Sequence, residues 1–357
     1  MKNILFFLLA SAAGIFFYQI SNKMQLFSFN NEMSTSGISK IAEPATLRAT
    51  EFGPVVGSSD KNQTHVWFGI PYAKPPVGPL RWRSPQPVKA WSTEFGALSR
   101  QPECLHQRTL IGFNSGRKKT IIGAEDCLYL DIWAPRSAAE NAAQTEEQLP
   151  VVVWLNGAGN KIGASSHISG HKFSGAQQLV FVSVNYRLGR LGFFSHRAIR
   201  NTSMNPEDSS GNYSLLDVIQ ALQWVEKNIA NFGGDSKNVT IMGTADGGRH
   251  VMALVASPLA EGLFQKAIVQ GGSTQSTSIH EAENFYDDEH IPGRISSSNE
   301  MILSLILDLN IASDRREAKD DINAMSDESI REFLERQSAE SILNIDIDNP
   351  NSSEALV

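Results

Sequence analysis

Between residues 151 and 270 the sequence repeats short, largely apolar segments separated by longer ones. The apolar segments are residues 151–155, 179–184, 239–242 and 267–270. Each is too short for a typical helix and lacks the strict alternation of a strand with one face in water. Each is therefore typical of a strand that is buried on both faces. Strands of this kind need helices over both faces of their sheet, which leaves few folds open to the chain.

A helical segment lies between the second and third of these strands. Its apolar residues are spaced by four, three, three and four positions, which places them on one helical face: Leu215, Ile219, Leu222, Val225 and Ile229. We expect it to end at the Asn-Phe-Gly-Gly sequence of residues 231–234. The succession of strand, helix and strand predicts an α/β fold with a mostly parallel central sheet and helices on both faces.

The N-terminus predicts export. Met1-Lys2-Asn3 is followed by residues 4–20, which contain no charge. This layout is typical of a secretory signal peptide, but the segment also reaches the lower limit for an uncleaved membrane anchor. We therefore assign residues 1–22 to a signal peptide or signal anchor, with membrane contact through this segment only if it is uncleaved. Residues 23–46 are polar and are expected to form a linker to a folded body at 47–357.

Composition and cysteine content narrow the functional classes. The net charge of −7 argues against a nucleic-acid partner. In the oxidising compartment of a secreted, periplasmic or membrane-anchored protein, Cys104 and Cys127 would be able to form a disulfide. Five Asn-x-Ser/Thr sequences leave glycosylation open, because such short matches are weak evidence: Asn62, Asn201, Asn212, Asn238 and Asn351.

The remaining segments are interpreted as loops and helices. The prolines of residues 68–76 predict an ordered surface loop that is neither helix nor central strand. Residues 137–148 are expected to be an exposed insert. In the tail, residues 301–309 and 327–343 predict amphipathic helices, residues 294–299 predict a loop, and no buried strand is evident. Because no closing element is recognisable after these helices, we expect the fold to be incomplete at its C-terminus.

Five sequence blocks, in this order, resemble the type-B carboxylesterase/cholinesterase family of α/β-hydrolases. They are FGIPYAKPPVGPLRWRSPQP (68–87), EDCLYLDIWAP (125–135), VNYRLGRLGFFS (184–195), GNYSLLDVIQALQWVEKNIANFGGD (211–235) and GLFQKAIVQGGS (262–273). The resemblance spans residues 50–273 and implies a partial domain of this family at 47–357. It also implies a Cys104–Cys127 disulfide and, for an intact member, hydrolysis of carboxylic esters by a serine nucleophile.

The nucleophile turn of this family departs from its pattern. The family places its serine in a G-x-S-x-G turn between a strand and a helix. Here the turn is Gly243-Thr244-Ala245-Asp246-Gly247, so Ala245 occupies the position of the missing nucleophile. The resemblance assigns the oxyanion hole to the backbone N–H groups of Ala158, Gly159 and Asp246. An ionised Asp246 would oppose the developing negative charge, and we interpret it as a stabilising group at the helix N-terminus.

No catalytic acid or base is identified in the sequence. The histidines after the turn are His250, expected to be a packing or surface residue, and His280 and His290 in an acidic segment. A register shift would make Asp246 a nucleophile, but a histidine would still be needed to activate water. The acidic cluster at residues 287–290 is interpreted as a solvated loop, and neither a metal nor a cofactor is predicted.

Three functional readings remain. The leading one is a catalytically inactive carboxylesterase relative, a pseudo-esterase, that binds a small ester-like ligand or a protein partner. The second is an active ester hydrolase with a non-standard mechanism. The third is a decayed or fragmentary gene product, in which uncovered apolar surface would impair folding.

Overall fold

The computed structural model describes residues 40–112, 116–142, 147–157 and 163–345, and side chains outside residues 108–119. The predicted export segment and most of the predicted linker lie outside these ranges. The strands are β1 (Arg48–Ala49), β2 (Pro54–Val56), β3 (Ser58–Asp60), β4 (Thr64–Pro71), β5 (Phe95–Gly96), β6 (His106–Gly112), β7 (Gly116–Ile122), β8 (Tyr129–Pro135), β9 (Leu149–Leu155), β10 (Val180–Val184), β11 (Gly234–Thr244) and β12 (Lys266–Gln270).

A seven-stranded sheet in the order β12-β11-β9-β10-β8-β4-β3 forms the centre of the fold. The pairs β12–β11, β11–β9 and β9–β10 are parallel, and the pairs β10–β8, β8–β4 and β4–β3 are antiparallel. The predicted α/β-hydrolase-like fold is confirmed. Its sheet is mixed, however, because the strands β3, β4 and β8 pair antiparallel. The sequence around these three strands has no strand–helix–strand pattern.

Helices cover both faces of this sheet. The helices of the described residues are α1 (Arg136–Glu140), α2 (His171–Gln177), α3 (Gly189–Gly192), α4 (Arg197–Asn201), α5 (Tyr213–Asn228) and α6 (Asp246–Ala256), followed by α7 (Ile279–Glu283), α8 (Ser298–Asp308), α9 (Arg315–Ala324), α10 (Asp327–Arg336) and α11 (Ala339–Asn344). Successive residues of one strand enter different clusters: Trp133 packs near Phe173 of α2, whereas Ile132 shares the larger core with α5. This alternation is expected of strands that are buried on both faces.

The predicted proline loop is wrong at its beginning. Residues 68–71 belong to β4, which lies next to the sheet edge and pairs with β8. Pro71 is the last residue of the strand, and the register shifts between Trp67 and Ile70, so the strand accommodates a bulge at Gly69, whose φ is +66°. The N–H of Gly69 donates to Asp131 Oδ1 at 2.8 Å. A proline at the end of a strand removes no interior ladder bond, which is why the sequence rule failed here.

The predicted strand at 267–270 forms β12, but it is exposed rather than buried. It lies at the sheet edge, and all five of its residues are exposed. An apolar composition alone could not distinguish this edge strand from the buried β9.

Two segments predicted to be peripheral pack on the folded body. Thr46, inside the predicted linker, is buried, and its carbonyl accepts a hydrogen bond from Trp67 Nε1 at 2.8 Å. The predicted exposed insert begins with α1, whose Ala139 is buried. The folded body therefore begins before residue 47, and the segment 137–148 is not exposed throughout.

The tail is helical, as predicted, with different boundaries. The helix predicted at 301–309 starts earlier, where the side chain of Ser297 accepts a hydrogen bond from the Glu300 N–H, so the predicted loop ends there. The segment 327–343 forms two helices, because Ser338 caps the start of α11. Helix α9 was not predicted.

Cys104 and Cys127 form the predicted disulfide, with their Cα atoms 4.9 Å apart. The bond joins the segment before β6 to the segment before β8. Among the described residues, no helix combines the length and the apolar character that a membrane crossing requires.

Candidate functional site

The turn between β11 and α6 is sharp and conformationally strained. Strand β11 ends at Thr244, α6 begins at Asp246, and the single residue between them, Ala245, has φ 51° and ψ −116°. The N–H of Ala245 donates to the carbonyl of Gln270 at 3.0 Å, and its carbonyl accepts from the Arg249 N–H at 3.1 Å. A positive φ is unfavourable for a residue that carries a Cβ. These two hydrogen bonds, together with the close packing of the neighbouring glycines, hold the strained conformation in place.

Glycines allow the backbone to pass close to itself at this turn. A Cβ on Gly243 would lie 2.1 Å from the Gly247 carbonyl oxygen, and one on Gly247 would lie 2.4 Å from that of Leu155. Both distances are below any tolerable contact, so the turn requires glycine at both positions. The predicted turn thus forms, with its two flanking glycines in the roles that the G-x-S-x-G pattern assigns to them.

Asp246 is the first residue of α6 rather than its N-cap. Ala245 takes the N-cap position, and Asp246 lies in the first turn, at the helix N-terminus as expected. The Asp246 carboxylate lies 3.8 Å from Arg249 Nη2, one helical turn further on. A carboxylate in the first turn still interacts favourably with the helix dipole. It also places negative charge beside Ala245.

His250 is a packing residue. It is fully buried and contacts the rings of Tyr186 and Phe193, with centroids 4.9 and 5.6 Å away. Neither ring nitrogen has a hydrogen-bond partner among the residues that the structure describes. Burial, with a smaller contribution from Arg249, lowers the pKa of His250 to about 3, so the imidazole stays neutral near pH 7. His280 on α7 and His290 in the loop that follows are exposed.

The loop after β9 is described only in part. Ala158 and Gly159, the two predicted oxyanion-hole residues, lie outside the described residues. Asn156 and Gly157, which precede them, are held against the turn: a Cβ on Gly157 would lie 1.7 Å from the Thr244 carbonyl oxygen. The carbonyl of Asn156 accepts a hydrogen bond from the Tyr186 hydroxyl. Sequence reasoning did not single out Tyr186 because no motif distinguishes it from an ordinary core tyrosine.

The acidic segment at residues 287–290 was interpreted from the sequence as a solvated loop. In the structure its two aspartates also form ion pairs. Asp287 contacts Lys319 Nζ at 2.8 Å and Arg315 Nη2 at 3.0 Å, and Asp288 also contacts Lys319. Both cations lie on α9, the helix that the sequence did not predict. Within the ranges that the structure describes, no group of three or more His, Cys, Asp or Glu side chains is arranged to hold a metal.

A mixed sheet whose parallel strands lead into a glycine-bounded strand-to-helix turn defines the chain as an α/β-hydrolase. The model of the carboxylesterase family matches residues 44–343. The chain therefore belongs to the carboxylesterase family.

Curated relatives and solved structures agree with this assignment. The chain is 38% identical to a para-nitrobenzyl esterase of Bacillus subtilis over 240 residues, 65% of this chain and 45% of that protein. It is 39% identical to the precursor of a medium-chain fatty acyl-CoA hydrolase of Anas platyrhynchos over 235 residues, 63% of this chain and 40% of that protein. A solved thermophilic PNB esterase has a TM-score of 0.62 and 30% identity, with 84% of this chain and 53% of that chain covered. The matched region spans less than half of the length of these curated relatives.

Proposed function

We propose that this protein is a carboxylesterase-family member that does not hydrolyse esters by the family mechanism and acts by binding. The observation that carries the proposal is Ala245 at the tip of a correctly formed turn. A methyl group has no oxygen that can attack a carbonyl carbon, and covalent acyl transfer requires one. The ligand class that fits such a relative is a small ester-like molecule or a protein partner.

The groups around Ala245 support the same proposal. The Asp246 carboxylate would repel an oxyanion that formed beside Ala245, whereas catalysis of this kind depends on positive dipoles at that point. His250 is the histidine nearest in sequence, and within the described part of the chain its buried ring nitrogens have no carboxylate partner. A serine nucleophile needs a base that is hydrogen-bonded to it and oriented by a third group. Restoring a serine at 245 would therefore leave it without activation.

The alternative reading, with Asp246 as nucleophile, is disfavoured by its position. Its side chain is only 13% exposed and lies beside Arg249, one turn along the same helix. The strained tip of the turn, from which an attacking group would project, belongs to Ala245. A covalent ester at Asp246 would also need water activated by a base to complete the cycle.

A hydrolysis assay tests the proposal. The full chain, the Ala245→Ser variant and a competent para-nitrobenzyl esterase are compared on p-nitrophenyl acetate and for labelling by a fluorophosphonate probe. We expect background turnover and no labelling for the wild-type chain, and no more than a small gain for Ala245→Ser. Wild-type turnover above background that survives Asp246→Ala would support a non-standard mechanism and contradict the proposal. A cooperative unfolding transition of the same sample would contradict the reading as a decayed product.

We further propose that the protein is exported. The buried Cys104–Cys127 disulfide supports this, because disulfides persist in oxidising compartments. Cell fractionation, with mass spectrometry of the N-terminus, distinguishes a cleaved signal peptide from a retained anchor. Recovery of the chain only in the cytosol with free thiols would be incompatible with export.

A further inference from the structure

The asparagines of the Asn-x-Ser/Thr sequences have different surroundings in the folded chain. Four of them lie in the described residues: Asn62, Asn201, Asn212 and Asn238. A glycan attached to an asparagine amide is bulky, and it must extend into solvent once the chain has folded. The exposure of each asparagine and the partners of its amide therefore decide which of them can carry a glycan.

Asn62 lies in the tight turn between β3 and β4. Asn62 and Gln63 both have φ 57°, and the Thr64 N–H closes the turn by donating to the Lys61 carbonyl at 3.3 Å. Asparagine adopts this left-handed conformation more readily than most residues that carry a Cβ. Lys61, Asn62 and Gln63 are all exposed. The asparagine of this sequence is therefore presented to solvent on a rigid turn.

The main chain of the same turn is packed against the folded body. A Cβ on Gly175 of α2 would lie 2.4 Å from the Asn62 carbonyl oxygen, and the Gln63 carbonyl accepts from the Arg136 N–H at 2.9 Å. In the described part of the chain, no residue accepts a hydrogen bond from the Asn62 amide. The main chain thus fixes the turn, and the side-chain amide is left available for modification.

The amides of Asn201 and Asn212 are used within the fold. Asn201 is exposed, but its Nδ2 donates to Asp327 Oδ2 at 2.7 Å and so joins the end of α4 to the start of α10. Asn212 is half-buried, and its Nδ2 donates to the Ser210 carbonyl at 3.2 Å. A sugar on either nitrogen would compete with these contacts.

We propose that Asn62 is an N-glycosylation site, an assignment that rests on the proposed export. Asn62-Gln63-Thr64 has the acceptor pattern, with no proline at its second position. The donor is an oligosaccharide whose anomeric carbon is bonded to a lipid diphosphate. Asn62 Nδ2 attacks that carbon and loses a proton. The new C–N bond forms as the bond to the diphosphate oxygen breaks, and the lipid diphosphate leaves with the bonding electron pair.

Mass spectrometry of the full chain from a mammalian cell line tests this site. Enzymatic removal of N-glycans in heavy-oxygen water converts each occupied asparagine into a labelled aspartate, so the occupied fraction of every site is measured. Asn62→Asp removes the acceptor and keeps a residue that tolerates the turn conformation. Asn238→Asp is the matched control. Its sequence also ends in threonine, but Asn238 is half-buried in β11, and its Oδ1 accepts from Lys266 Nζ at 2.5 Å.

We expect the occupied fraction at Asn62 to be at least tenfold that at Asn238, with a gain in gel mobility for Asn62→Asp and none for Asn238→Asp. A second sample places residues 23–357, which include every described residue, behind a cleavable signal peptide from another secreted protein. Its secretion does not depend on the native N-terminus. If only this sample is modified at Asn62, the site stands and the proposed export is wrong. Secreted protein that is unmodified at Asn62, or equal occupancy at Asn62 and Asn238, would overturn the proposal.

Discussion

Replacing Ala245 by glycine should stabilise the protein, although Ala→Gly substitutions usually destabilise. Ala245 is exposed and has φ 51° with ψ −116°, a region that glycine adopts readily and alanine does not. Holding a non-glycine residue in such a conformation costs about 1–3 kcal/mol. The greater freedom of glycine in the unfolded chain costs about 0.4–1 kcal/mol in return. We therefore expect Ala245→Gly to increase the free energy of unfolding by about 1 kcal/mol, the difference between these terms.

An Ala→Gly substitution on α6 serves as a control, because it is expected to change the free energy of unfolding in the opposite direction. Ala253 lies within α6, in ordinary helical conformation, and Ala253→Gly should lower the free energy of unfolding by about 1 kcal/mol. Urea titration followed by circular dichroism measures both variants. In thermal scans, about 300 folded residues at about 2.1 cal/mol/K each convert 1 kcal/mol into a Tm shift of about 1.5–2 °C. If Ala245→Gly destabilised the protein as much as Ala253→Gly does, the claim that the turn is strained at Ala245 would be wrong.

Three further experiments, each with its own substitutions, test the packing. Serine at both Cys104 and Cys127 should cost about 3 kcal/mol, because the disulfide closes a loop across a sequence separation of 23, and an unchanged urea midpoint would contradict this. The pKa of His250 is lowered from 6.5 to about 3, so the unfolded chain binds a proton that the folded chain does not. Stability should thus fall as the pH drops below about 6.5, with a smaller slope in His250→Phe, and equal slopes would refute the assignment. Asp217→Ala should cost about 3–5 kcal/mol because it leaves the buried guanidinium of Arg187 unpaired, and Arg187→Met with Asp217→Leu should recover most of this loss in the same titration.

The sequence predicted the parallel half of the sheet well, because β9, β10 and β11 are buried on both faces and their composition reflects this directly. It could not predict that β12 is exposed, since its residues resemble those of β9 and burial depends on a neighbouring strand rather than on composition. Helix α9 was missed for the opposite reason. Only Ala318 and Ile322 of this helix are buried, too few to produce an apolar periodicity.

The sequence predicted where the turn lies in the chain but not which residues surround it. The glycines around Ala245 identified the strand-to-helix junction, because two backbone segments can approach this closely only where glycine leaves out the Cβ. Nothing in the sequence indicated that His250 is buried against Tyr186 and Phe193, or that no other described residue forms a hydrogen bond with its ring. Such an environment arises from contacts between residues distant along the chain, and a single sequence does not record them.

The contacts that shape this turn are made largely by main-chain atoms, with glycines packed against carbonyl oxygens of β9, β11 and α6. The side chain at 245 takes no part in them and projects into solvent. The geometry of the turn is therefore separable from its reactivity. A change of side chain at position 245 leaves these main-chain contacts in place, whereas a side chain at Gly243 or Gly247 would collide with a backbone carbonyl.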